Sequence, residues 1–359
     1  MALHVRGTVL PDGDVRDLWL VGDRVTFEPV RDAETISDGG FVVPGLVDAH
    51  CHLGIAFGAK PITSVDQARE LAVTDRDAGV LALRDAGSPY PYPELDDEDG
   101  IPRLARAGRH VAPPMRYLRD VGIEVDGVDD VRAAVTEQAK AGNGWVKLVG
   151  DWIHRDKGDL APSWDAATMA AAVEAAHAAG VRAAVHTFSE EGVEIMVRAG
   201  IDSVEHGTGL SLDLIDEMAR RGTALVPTMI NIRTFGGIAE RARGKFDTYA
   251  DHMISLRDRF PSVVRAAYEA GVPIYVGTDA GGGIRHGLVA EEMLILQEAG
   301  LPAEEVLASA SWRAREWLGF PGLVEGGLAD LIVYEADPRA DLRVVRAPSR
   351  IVLKGRVIR

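Results

Sequence analysis

Short apolar runs alternate with longer amphipathic stretches through the middle of the chain. The segments 80–85, 144–149, 181–186, 201–206, 223–227 and 273–279 are brief and rich in Val, Ile, Leu and Ala, the pattern of buried strands. Between them, 190–199, 212–221 and 288–299 carry apolar residues at helical spacing, and the first two stop at Gly200 and Gly222. A longer helical region, about 246–270, is expected to be interrupted at Pro261. Strand–helix alternation of this kind predicts parallel strands with helices outside. The number of units fits an α/β fold of the (β/α)8 TIM-barrel type. The two ends read differently. Residues 1–40 carry short strands and turns, and 329–334 and 344–358 are strand-like again. Neither end suffices alone, so both are expected to join in one small β-sandwich domain, 1–40 plus 325–359, beside a barrel domain at 41–324.

Composition narrows the class. A chain of 359 residues that is 47% hydrophobic can bury a large core. Its formal charge of −16 argues against nucleic acid and anionic membranes as partners, since both require a basic face. A single cysteine excludes an intrachain disulfide. The first residues lack the basic-then-apolar layout of a signal peptide, and no apolar run approaches the roughly 20 residues of a membrane span. A cytoplasmic enzyme with a small-molecule substrate is the expectation; a homo-oligomer is left open.

Five of the predicted strands carry a metal-ligand type at or near the C-terminal end. The run 41–50 leads into His50 and His52, and the others carry Lys147, His186, His206 and Asp279. Side chains alternate along a strand, so His50 and His52 share a side and Cys51 takes the other. Four imidazoles, a carboxylate and a lysine can together hold two metal ions. A lone His-x-His is weak evidence; five strand ends supplying such groups in order is specific. Barrels of this type carry their active sites at these strand ends.

These residues bring a family into view. The chain resembles the amidohydrolase superfamily, in particular its imidazolonepropionase-like and metal-dependent dipeptidase (prolidase, carboxypeptidase) branch. The likeness rests on PGLVDAHCH at 44–52, LRDAG at 83–87, Lys147, His186, DSVEHG at 202–207, GTDA at 277–280 and GGLADL at 326–331, and it spans nearly the whole length. It implies that His50, His52 and Asp279 hold a buried ion and His186 and His206 a more exposed one. Lys147 would bridge the two as a carbamate. Two divalent ions are implied, with zinc the expected element because imidazole and carboxylate suit it. The implied chemistry is attack on a C–N bond by a metal-bridging hydroxide, with Asp279 as the catalytic proton shuttle.

The resemblance is poorest where specificity would lie. Peptidase relatives often carry Gly-Gly-His near the third strand and a tyrosine after the seventh. Here 111–119 and 226–233 match poorly, which weakens any expectation of dipeptide cleavage. Substrate contacts are expected from His286, His154, Arg119 and Arg233, with Arg116 and His110 as further candidates. Segment 231–246 is a lid candidate. Glu205 alternates with His206 and is read as structural; Arg84 and Asp85 are read as an ion pair. Alternatives to an amide, cyclic amide or peptide-like C–N hydrolase remain: a mononuclear deaminase, a lactonase or phosphoester hydrolase, or a non-catalytic scaffold. The presence of Lys147, and Thr187-Phe188-Ser189 after His186 where deaminases usually carry His-x-x-Glu, favours the binuclear reading.

Overall fold

A computed structural model describes residues 2–359. Parallel strands form two groups. Leu46–Cys51, Val80–Asp85 and Arg103–Arg106 pair in one sheet, and His110–Ala112, Trp145–Val149, Arg182–Thr187, Ser203–His206 and Ala224–Val226 pair in another. The segment carrying Asp279 lies between the groups. Isolated parallel bridges join Cys51 to Ala280 and Leu225 to Ile274, and the Ala49 amide donates to the Val276 carbonyl at 2.8 Å. The predicted strand at 273–279 is therefore present only as bridges. This is a TIM-barrel-like α/β fold.

The helices follow their sequence signals closely. Ser189 and Ser211 cap Glu190–Ala199 and Leu212–Arg221, each accepting from a backbone amide in the first turn. Gly200 and Gly222 end them at φ of 86° and 72°, where a side chain would be strained. Pro261 differs from expectation: Asp247–Glu269 runs through it as one helix. Proline removes one backbone donor, but buried Phe260, Val264 and Ala267 hold both halves against the core.

Both chain ends meet in one seven-stranded mixed sheet. Leu3–Val9 pairs antiparallel with Asp14–Val21 and parallel with Glu34–Pro44, which pairs in turn with Leu331–Tyr334. The described strands thus make a single sheet where two facing sheets were expected. Its residues divide between two cores. Leu331 and Val333 pack with Val5, Leu18 and Leu20, whereas Ile332 and Tyr334 join the main core, so the body of the molecule covers the face a second sheet would have covered. The expected boundary at residue 40 also cuts a strand, which continues to Pro44. Gly45 then separates it from Leu46–Cys51; a Cβ there would lie 2.5 Å from Leu81 side-chain atoms.

Asp330 ties the tail to the rest. It is buried and accepts from Arg103, Arg315 and the Lys354 amide. Burial alone would raise its carboxyl, but Arg315 and Arg103 outweigh it and hold it below the usual range. Its contribution to stability is therefore present above an ordinary carboxylate pKa of about 4 and is lost as pH falls through the lower folded value. Asp330→Ala leaves the buried Arg315 without its anion. A loss of about 3–5 kcal/mol at pH 7 is expected, as for other broken buried pairs, and it should shrink in acid. Urea melts at both pH values check this.

Candidate metal centre

The ligand-type side chains converge where the parallel strands end. His50 Nε2 and His52 Nε2 lie 3.2 Å and 3.1 Å from Asp279 Oδ1. His186 Nδ1 faces His206 Nε2 at 2.9 Å. One donor atom each from His50, His206 and Asp279 falls within 4.8 Å of the others. Lys147 is 1% exposed, and its Nζ has no hydrogen-bond partner. Its charge depresses the pKa of His50, His186 and His206, which puts it among them. Asp279 is the most open of the carboxylate and imidazole groups, with 20% of its side chain exposed.

The nitrogens facing away from the cluster are anchored. His50 Nδ1 meets Glu205 Oε2 at 2.6 Å, His52 Nδ1 meets the Gly87 carbonyl at 2.8 Å, and His206 Nδ1 meets Thr228 Oγ1 at 2.7 Å. Such contacts fix the tautomer and the ring plane, leaving the opposite nitrogen free to ligate. Glu205 is itself held by Arg84 Nη2 and Ser203 Oγ, each at 2.6 Å. Asn231 Nδ2 donates to Asp279 Oδ2 at 2.6 Å, leaving Oδ1 toward the histidines.

Charge states agree with a ligand set. Burial lowers the imidazoles of His50, His186 and His206, the last to about 3, so the rings stay neutral donors. Burial likewise pulls the Lys147 ammonium down to about 8. Burial would raise Asp279, but His50 and His52 outweigh it and keep it ionised. Neutral imidazoles around an anionic carboxylate, with two buried polar atoms (Lys147 Nζ and His186 Nε2) lacking partners, suit divalent cations.

The expectations for Glu205 and Arg84 need correction. Glu205 is not an outward structural residue. His206 adopts φ of 66°, which breaks strand alternation, so Glu205 and His206 both reach His50. Arg84 pairs with Glu205, not Asp85; Asp85 accepts from the Leu53 and Gly87 amides and from the Tyr92 hydroxyl. His286 is tied through Nδ1 to Asp75 at 2.6 Å, and its buried Nε2 has no partner. Arg233 pairs with Glu298 on the surface, and Arg119 is exposed. His154 sits half-buried on the hairpin strand Asp151–His154. Arg116 donates from Nη2 to the Trp152 and Ala161 carbonyls, and its Nε has no partner. The lid candidate takes in the end of one short helix, Met229–Ile232, and all of a second, Phe235–Ala242, pinned by buried Ile232, Phe235 and Ala239. His110 gains importance: it is fully buried, its ring centroid lies 5.2 Å from that of His52, and neither ring nitrogen has a partner.

The amidohydrolase family model matches residues 41–358. The chain belongs to the amidohydrolase family. This family generally uses divalent metals, and the member described here is an enzyme, a hydrolase acting on carbon–nitrogen bonds. It is 50% identical over 354 residues to an uncharacterized protein of Mycobacterium tuberculosis, covering 99% of this chain and 95% of that one. Its structure resembles that of a Xaa-Pro dipeptidase with bound methionine (TM-score 0.84, 24% identity, 99% of both chains). It also resembles the Aspergillus niger ochratoxinase (TM-score 0.81, 20% identity, 100% of this chain and 95% of that one). Among the described residues no helix is long and apolar enough to cross a membrane.

Glu205 offers a test of the anchoring contacts in this amidohydrolase. Glu205→Gln keeps the shape but removes the anion between His50 and Arg84. Loss of such a partner typically costs about 10–100-fold in metal affinity or activity. A chelator titration should show that drop; an unchanged metal affinity and rate would reduce Glu205 to packing.

Proposed function

We propose that this amidohydrolase is a binuclear metal hydrolase of amide, cyclic amide or peptide-like C–N bonds in small molecules. One observation carries the reading: five segments deliver four imidazoles, a carboxylate and a buried unpartnered lysine to one cluster, with the outward nitrogens of His50, His52 and His206 tied down. His50, His52 and Asp279 would hold one ion, and His186 and His206 the other. We take zinc as the ion. The scaffold is read as a closed (β/α)8 barrel, with the sheet built from both chain ends as a separate small domain.

Lys147, carboxylated on Nζ, would be the anionic ligand shared by the two ions. Its neutral amine attacks carbon dioxide and sheds one proton, replacing a cation that repels metals with an anion that binds them. When bound, the ions supply a hydroxide at neutral pH and polarise the scissile carbonyl. Asp279 accepts the proton from the attacking oxygen and delivers it to the leaving nitrogen, while Asn231 fixes its second oxygen. His110, buried beside His52 with both nitrogens free, would donate to the substrate.

The test is a panel of N-acyl amino acids, dipeptides, cyclic imides, ureas and lactones, run with metal-loaded protein. Turnover of at least one amide, abolished by chelation and restored by zinc, is expected. Lactone cleavage with no amide turnover would overturn the C–N reading.

A further inference from the structure

Two aromatic side chains stand over the cluster without a role in holding it. The Trp152 ring lies 5.3 Å from the His186 ring and the Tyr117 ring 5.7 Å from it, and the two are 5.0 Å apart, edge to face. Tyr117 also lies 4.8 Å from His110. Both are half-buried, whereas Phe188, 4.5 Å from His186, is almost fully covered. Tyr117 and Trp152 are therefore less covered than Phe188 beside the same ligand histidine.

That surface is rigidly built. Arg116, next to Tyr117, donates to the Trp152 carbonyl at 3.0 Å and to the Ala161 carbonyl at 2.8 Å, joining the two loops. Asp151, next to Trp152, is buried and accepts from the Ser189 amide and hydroxyl and the Thr187 hydroxyl, each at 2.7 Å. The Trp152 hairpin is thus locked to the strand that carries His186. The Arg116 bonds come from Nη2 alone and hold Arg116 beneath the aromatic pair, while its buried Nε has no partner.

We propose that Tyr117 and Trp152 form a preorganised aromatic face that selects substrates carrying a planar aromatic group close to the scissile bond. The inference deepens the hydrolase reading and rests on it for the identity of the pocket. Aromatic rings favour offset or edge contacts at these separations, and such contacts add to simple burial. A fixed face also avoids the ordering cost of a mobile one. The bland alternative is that the rings only shield His186 from water. It predicts no preference for planarity.

The test compares ligands of similar apolar bulk that differ in planarity and need no turnover. Calorimetry on metal-loaded protein would measure phenylacetate against cyclohexylacetate for the acyl side, and phenylalanine against cyclohexylalanine for the amine side. At least one aromatic member should bind about three-fold or more tightly than its saturated partner, the scale of an added ring–ring contact. In Trp152→Leu and Tyr117→Leu, each checked by thermal melting, that ratio should fall toward one. Ratios near one for both pairs in the wild type, or a preference that survives both substitutions, overturn the proposal. A substrate panel without amide turnover would sink the hydrolase reading while leaving these binding ratios legible.

Discussion

Asp279→Asn is expected to lower kcat by about 10²–10⁴-fold, roughly 3–5 kcal/mol of barrier, the usual worth of a positioned acid–base group. The substitution keeps the shape, and four imidazoles and the Lys147 bridge remain to hold metal. What it removes is the oxygen that accepts a proton. Asp279 suits that task because it is the ligand-type group most open to the pocket, while His50 and His52 keep it ionised. Substrate affinity should change much less than kcat. The comparison requires protein of verified metal content, since metal loss would mimic lost catalysis. Turnover within a few-fold of wild type in metal-replete Asp279→Asn would transfer the proton to another group, with His110, whose ring nitrogens have no partner, the next candidate.

Lys147→Ala should abolish activity and release at least one ion. The Nζ is buried, has no hydrogen bond and sits where its charge opposes three neighbouring imidazoles, so an unmodified ammonium would be a poor occupant. Conversion to a carbamate reverses that sign. Short carboxylic acids such as formate or propionate should partly restore both metal and rate by standing in for the missing bridge. Metal analysis and kcat with and without added acid check this. A fully metallated, active Lys147→Ala protein would remove the bridging role.

Much of this was legible because it is local and periodic. The helix stops at Gly200 and Gly222 and the ligand types at successive strand ends are properties of short windows. The joining of residues near both termini followed from the shortage of strands at either end. Contacts that depend on long-range geometry were not legible. Glu205 meets His50 across 155 positions, and His206 joins it on the same side because it leaves strand geometry at φ of 66°; periodicity carries no sign of either. Asp279 shares the left-handed region at 60°; such strain, of about 1–3 kcal/mol, persists only where surrounding contacts enforce it. The same limit applies to substrate contacts. His286 and Arg233 lie near the strand ends in sequence, yet Asp75 and Glu298 claim them. Arg116 has the right charge for a carboxylate, but backbone carbonyls hold it. Tyr117 and Trp152 gave no periodic signal, since both lie on irregular or hairpin segments after strands.

The most direct measurement is the metal content of the purified wild-type protein, read with its amide-hydrolysing rate as ions are added back to chelator-treated enzyme. A bridged pair requires about two divalent ions per chain, with the rate rising as the pair fills. Full amide-hydrolysing activity at about one ion per chain, or with none, would contradict the binuclear site.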